Sequence, residues 1–394
     1  MTYDLDTPVD RMGTNSIKWE FMESLDPEAG PGTLPFWVAD MDFPCPQPVI
    51  DALHARVDRR IFGYSSCKTP EYFRAVCGWY KRRFNWSMEA ADIVYSPGVV
   101  PAVNYIVDIL TEPGDGVLIQ PPVYYPFANA IRNHGRRIVE NPLIDRGGRY
   151  EMDYEDLDRK ASESKARLLI LSSPHNPVGR VWTEEELRAL GEICERHEIV
   201  ILSDEIHCDI TRSGVRHVPL EVVLPEYREK IITANAPSKT FNLAGAQISN
   251  ILIHDAEIRR RWDQYSRNLG AREPSPFAIV AAEAAYDGGE KWLEQVLSYL
   301  QGNADFLGRS LAERLPEARY RAPEGTYLAW IDASAYGASS EDLARRLVRE
   351  AKVLFEAGSM FGVQGEGHLR VNLACPRRLL SEGLERAAVA LSHS

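Results

Sequence analysis

Short apolar runs punctuate the middle of the chain, at Val117–Ile119, Leu168–Leu171, Ile199–Leu202, Ile231–Thr233 and Ile251–Ile253, and stretches with helical spacing separate them. The runs do not alternate with polar residues, as strands with one wet face do. They predict strands buried on both faces, the pattern of a parallel sheet covered by helices. The clearest unit spans Arg167–Ser203, where ARLLILSS leads through SPHNPVGRVW into TEEELRALGEICERHE and then IVILS. Thr183 and Glu186 have the spacing of a capping box, and Leu187, Leu190 and Cys194 mark one buried stripe, so a helix is predicted to start near Glu184. Strand, helix and strand then form a right-handed crossover between parallel neighbours. The expected fold class is α/β, with a large domain built on a mostly parallel sheet flanked by helices.

Beyond Asp287 the pattern changes. Amphipathic helices (KWLEQVLSYLQGNADFLGRSLAERL and SEDLARRLVREA) alternate with short strands (TYLAWID and HLRVNLA), the make-up of a smaller α+β domain. The stretch up to Pro48 is rich in Pro, Gly and Asp, shows little periodicity, and is expected to lie as an arm over the rest and to join the small domain. The predicted boundaries are 1–48 for the arm, 49–287 for the large domain and 288–394 for the small one. With 45 Lys and Arg against 57 Asp and Glu, the formal charge of −12 repels phosphate backbones and anionic lipid, which argues against a nucleic-acid partner. No run approaches the roughly 18 apolar residues of a membrane span, and the acidic start at Asp4, Asp6 and Asp10 is unlike a signal peptide, so a cytoplasmic protein is expected. The six cysteines form no C-x-x-C pair, so neither a zinc site nor a disulfide framework is expected.

In open α/β sheets, sites form beyond the carboxyl ends of the strands. That rule singles out Ser172–Gly179, Asp204–His207 and Asn235–Lys239. Lys239 is the only charged residue between Ile231 and Ile253, in a chain of which 26% is charged. Desolvation lowers a lysine's pKa and makes it a nucleophile toward an aldehyde; the bland alternative is a lysine that snorkels to solvent. Asp204, at a strand end, can pair with a protonated ring nitrogen or simply cap a loop. Asn176, between Pro174 and Pro177, can donate to a phenolate-like oxygen or stabilise the turn. Their equivalent strand-end positions favour a shared site.

Three of these segments, Ser172–Arg180 (SSPHNPVGR), Ser203–Asp209 (SDEIHCD) and Ala236–Gly245 (APSKTFNLAG), closely resemble the signatures of fold-type I pyridoxal-phosphate enzymes. More narrowly, RMGTNSIKW at Arg11–Trp19, LPFWVADMDFP at Leu34–Pro44 and QPPVYYPF at Gln120–Phe127 resemble the MalY/PatB-type branch of carbon–sulfur β-lyases. The resemblance runs in family order from Arg11 to Arg370. It implies pyridoxal 5′-phosphate as cofactor, with Lys239 as the lysine that carries it and moves the substrate Cα proton, Asp204 as partner of the pyridine nitrogen and Asn176 as donor to the ring O3′. It further implies Tyr124 stacked on the ring, His207 near O3′, and the phosphate held by amides of the Ser96–Val100 turn, Val99 and Val100 among them, with Ser238 as a hydroxyl donor. Tyr64 would reach the site from a neighbouring subunit, which implies a homodimer. Arg370 would grip the α-carboxylate of an amino-acid substrate, and Asn15, Ala39 and Tyr64 would line its pocket.

The implied reaction is β-elimination from L-cysteine S-conjugates, giving thiol, pyruvate and ammonia. The alternative is an aminotransferase with the same cofactor. Transaminases of this fold usually carry a Ser three positions before the lysine and an Arg eight positions after it; here these are Ala236 and Gln247, which weighs toward the lyase. A regulatory protein that merely binds the cofactor has no supporting motif in the chain.

Overall fold

The computed structural model describes residues 2–337 and 339–392. Its centre is a seven-stranded sheet of β1 (Ile93–Ser96), β2 (Gly116–Ile119), β3 (Arg137–Glu140), β4 (Leu168–Ser172), β5 (Val200–Asp204), β6 (Ile231–Asn235) and β7 (Ser249–Ile253), in the spatial order β1-β7-β6-β5-β4-β2-β3. All five apolar runs lie in it. Their continuity has the expected cause, because alternate residues point to opposite faces and both faces are covered. Leu168, Ile170 and Leu202 pack with Val103, Ile106 and Val107 of helix α1 (Val99–Leu110), whereas Leu169, Leu171 and Ile201 pack with Leu187, Leu190 and Cys194 of helix α2 (Glu184–Arg196). The capping box at the start of α2 is present: Glu186 N donates to Thr183 Oγ1 (3.2 Å) and Thr183 N donates to Glu186 Oε2 (2.8 Å).

One expectation is corrected. Ile251–Ile253 belongs to a strand that runs antiparallel to both neighbours, β6 and β1, while β2 to β6 pair in parallel. After β6 the chain makes a helical turn (Pro237–Thr240) and a 3-10 turn (Ala244–Ala246) at the sheet's end, then re-enters the sheet in the opposite direction. No helix returns along the sheet face between β6 and β7. An unbroken apolar run reports burial on both faces, not strand direction.

The C-terminal part carries a second, antiparallel sheet of β8 (Arg319–Tyr320), β9 (Leu328–Asp332), β10 (Glu356–Ala357) and β11 (His368–Asn372), ordered β8-β9-β11-β10. Leu369 and Val371 of β11 enter a core with Leu307 and Leu311 of helix α3 (Glu290–Arg314), so the period of two turns Arg370 and Asn372 the other way. The helix expected over SEDLARRLVREA starts at Ser340 but ends as a π turn, Leu347–Ala351. From the N-terminal stretch, Leu34–Pro35 forms a short parallel ladder with Val353–Leu354. Among the described residues no helix is long and apolar enough to cross a membrane.

Candidate active site

Strands β4, β5 and β6 end side by side, with Ser172 in register with Asp204 and Asp204 with Ala234. The loops beyond these ends enclose a cavity of about 180 Å3, and Tyr124, Asn176, Asp204, His207, Ser238 and Lys239 all lie on its wall. Six expected positions, from four separate segments, thus meet in one place. The opposite wall is the start of α1, where Gly98 caps a twelve-residue helix and Val99 and Val100 face the cavity. Ser96 Oγ donates to Gly98 O (2.7 Å), and a Cβ at Gly98 would stand 3.2 Å from Pro101 Cδ. Free amides at a helix start are a ready anion cradle.

Lys239 sits in the helical turn after β6, which Thr240 anchors by donating to Asp209 Oδ2 (2.9 Å). Its Nζ donates to Ala39 O (2.6 Å). Desolvation pushes its pKa down to about 8; the Arg370 charge adds to this, and the carboxylates of Asp40 and Asp204 oppose it. Burial pushes Asp204 up to about 7, against the pull of its hydrogen bond from Ile206 N (3.1 Å) and of the Lys239 charge. Burial, and then the cations of Lys239 and Arg370, push His207 down to about 3, so its ring is neutral. His207 Nδ1 is buried without a partner, and its ring meets Tyr327 edge to face at 5.9 Å. An unpartnered ring nitrogen and a carboxyl held near neutrality by burial are groups that a polar ligand would satisfy.

Asn176 is locked by three bonds: its N donates to Ser172 Oγ (3.2 Å), its carbonyl accepts from Tyr124 N (3.1 Å), and its Oδ1 accepts from Arg370 Nη1 (2.9 Å). Because Oδ1 is engaged, the side-chain NH2 is the group left for the cavity. Arg370 itself is buried behind Asn176. It donates to Asn176, to Trp37 O (3.1 Å) and to Glu356, its direct cross-strand neighbour, and its guanidinium lies 4.7 Å from the Phe361 ring centre.

Ala39 belongs to a segment whose carbonyls gather side chains from across the chain: Ala39 O also accepts from Tyr327 OH (3.0 Å). The segment is clamped by an earlier part of the same arm. Arg11 reaches Asp40 Oδ2 (2.8 Å) and Asp42 Oδ1 (3.0 Å), while the fully buried Lys18 reaches Asp42 Oδ2 (2.7 Å) and Asp40 O (3.0 Å). Asn15, held at φ 59°, lines an adjoining cleft together with Arg11, Ala39, Asp40 and Lys239. Tyr64 is apart from the cavity. It is fully exposed, beside exposed Ile61 and Phe62. Sequence reasoning passed over Tyr327, Lys18 and Glu356. For Lys18 there was a signal, since two carboxylates in VADMDF lacked any assigned cation; for Glu356, five places past the expected helix SEDLARRLVREA in a stretch with no assigned element, there was none.

The geometry has close counterparts. The chain is 40% identical to cystathionine β-lyase PatB of Bacillus subtilis, over 99% of this chain and 100% of that one. It superposes on the pyridoxal-phosphate-bound C–S lyase of Staphylococcus hominis with a TM-score of 0.94, at 36% identity over 99% of this chain and 98% of that one. Cystalysin of Treponema denticola, a structure containing pyridoxal 5′-phosphate, matches with a TM-score of 0.96 at 36% identity, over 100% of both chains. With a model match spanning residues 34–387, the chain belongs to the aminotransferase class I and II family.

Proposed function

We propose that this chain is a pyridoxal-5′-phosphate-dependent carbon–sulfur β-lyase of the cystathionine β-lyase type, and that it cleaves L-cysteine S-conjugates to thiol, pyruvate and ammonia. The observation that carries this reading is the meeting of Lys239, Asp204, Asn176 and His207 in one cavity facing the start of α1. Each wall suits one part of the cofactor. The Gly98–Val100 amides suit the phosphate, Tyr124 the ring face, the Asn176 NH2 and His207 the ring hydroxyl side, and Asp204 the pyridine nitrogen. Ser238 and Gln247 also line this cavity, in place of the more cationic grip of transaminases. When bound, the cofactor supplies an aldehyde for an amino group and a ring that withdraws electrons from the substrate Cα.

The chain's own residues do the rest. Asp204 would pair with the cofactor's cationic ring nitrogen, which would stand in for the water that burial removes and hold the carboxylate ionised. Lys239 is neutral for a large fraction of the time near pH 8, which suits the amine that would carry the cofactor and move the proton of the substrate Cα. Ala39 O, fixed by Tyr327 and by the clamped arm, holds Nζ in place. Arg370 binds the α-carboxylate, with Asn15 and Ala39 beside the substrate. The exposed Ile61, Phe62 and Tyr64 fit a homodimer in which Tyr64 completes the partner's site.

The test is pyruvate release from L-cystathionine by the cofactor-loaded protein with no ketoacid present, beside Lys239→Ala. Pyruvate and thiol in equal amounts, absent in the variant, are expected. Turnover that needs an added ketoacid and yields no thiol would instead identify an aminotransferase, and full turnover by Lys239→Ala would refute the site.

A further inference from the structure

The Arg370–Glu356 pair is the feature of the site that the reaction as described leaves unexplained. Both side chains are 3% exposed, and they face each other across β10 and β11. A guanidinium has five N–H groups. Here three are spent, on Asn176 Oδ1, Trp37 O and Glu356, while Nε is buried without a partner and Nη1 keeps one hydrogen. Arg370 therefore has donors left for an incoming carboxylate, but its charge is already neutralised. The other titratable groups facing the pair are Tyr124, Tyr125 and Tyr327, whose phenols burial keeps protonated, His207, which burial keeps neutral, and Lys239 beyond Arg370.

A second carboxylate at this guanidinium would leave a net negative charge where no water can screen it. Two carboxylates sharing a buried site resolve the conflict by keeping one proton between them. We infer that Glu356 is a positioning residue that occupies Arg370 in the resting enzyme and takes up one proton from solvent when the α-carboxylate of an amino acid binds. The trio of Arg370, protonated Glu356 and ligand carboxylate is then neutral, as the resting pair was. Burial already pushes the Glu356 pKa upward in the resting state. Glu356 thus makes carboxylate recognition proton-coupled and sets its strength. This rests on the reading that Arg370 receives the α-carboxylate.

A merely structural Glu356 and a competing Glu356 predict opposite signs. L-Alanine, which has no β leaving group, is titrated into the cofactor-loaded enzyme and followed by cofactor absorbance, with L-alaninamide as the ligand lacking a carboxylate. In Glu356→Gln, L-alanine is expected to bind about tenfold tighter at pH 8, the alaninamide affinity is unchanged, and the additional loss of L-alanine affinity with rising pH, up to about tenfold per pH unit in the native enzyme, disappears. Unchanged or weaker L-alanine binding with the native pH slope retained would overturn the inference. If the variant does not fold, calorimetry of native enzyme with propionate in two buffers of different ionisation heat decides: close to one proton taken up supports it, none refutes it. Because no elimination is needed, these readouts survive a wrong choice between lyase and aminotransferase. Failure of both alanine ligands to perturb the cofactor absorbance would instead refute the amino-acid reading, and the inference with it.

Discussion

The lowered pKa of Lys239 has a measurable consequence for how the enzyme acquires its cofactor. Only the neutral amine attacks an aldehyde, so with Lys239 in its proposed role the rate of cofactor capture by cofactor-free protein should follow the deprotonated fraction of Lys239. At pH 7.5 that fraction is about 0.24 for a pKa of about 8 and about 0.001 for the ordinary 10.5, an advantage of about 240-fold created by desolvation. The perturbation is Asp40→Asn, because Asp40 is the leading carboxylate steadying the ammonium and lies outside the cofactor cavity. Removing a negative neighbour disfavours the charged form, so the variant's midpoint moves below that of the native protein and capture at neutral pH becomes faster. The assay is stopped-flow absorbance after mixing cofactor-free protein with limiting pyridoxal 5′-phosphate across the neutral and alkaline range. The linkage has a definite sign as well. The unfolded chain holds a proton on this lysine between about pH 8 and 10.5 that the folded chain has lost, so cofactor-free protein gains stability as pH rises through that window. A native midpoint close to 10.5, or an Asp40→Asn midpoint above the native one, would refute the account of Lys239 as desolvated and steadied by Asp40.

Three further outcomes follow from the packing. Lys18→Met removes a fully buried cation from Asp42 and is expected to cost about 3 kcal/mol, read as a lowered thermal midpoint and partly rescued by Asp42→Asn in the same chain. His254 bridges Asp92 (2.8 Å) and Glu221 (3.0 Å), and the hydrogen bond to Glu221 leads the causes that raise its pKa. Its stabilisation is full below the ordinary value of 6.5 and fades as pH rises through the raised one, so His254→Gln should flatten that part of the curve of thermal midpoint against pH. Gly358→Ala would place a Cβ 2.2 Å from Gly365 O and 2.7 Å from His368 O, both backbone atoms. It should cost about 3 kcal/mol by urea titration, and should weaken substrate binding because the same loop carries Phe361 under Arg370.

The parts of this molecule that were legible in its sequence are those in which backbone partners and burial repeat regularly. The five runs became strands and Thr183 began α2, because two covered faces and a capping box are local, periodic demands. Asn176, Asp204 and Lys239 could be found for a related reason: strand ends are fixed once strands are. What the pattern did not carry was direction and distance. The reversal of β7 leaves its apolar residues unchanged, and the Glu356–Arg370 pair arises only when β10 is laid beside β11.

The arm shows why the remainder could not be read from periodicity. In Val38–Phe43 the carbonyls are satisfied by side chains instead of a helix or a ladder: Val38 O by Asn372, Ala39 O by Lys239 and Tyr327, Asp40 O by Lys18 and Asn372, Met41 O by Arg11 and Asn242, and Phe43 O by Asn242. A packed backbone must find partners somewhere, and these come from four stretches of the chain, Arg11–Lys18, Lys239–Asn242, Tyr327 and Asn372. Such a segment has no period to display, since each residue answers to a different neighbour. Its aperiodic sequence, which suggested a strip laid over the surface, therefore marks the point where arm, large sheet and small sheet are tied together beside Lys239. Regular patterns locate the scaffold, and a lapse of pattern in a packed segment with unassigned charges locates the residues that hold Lys239.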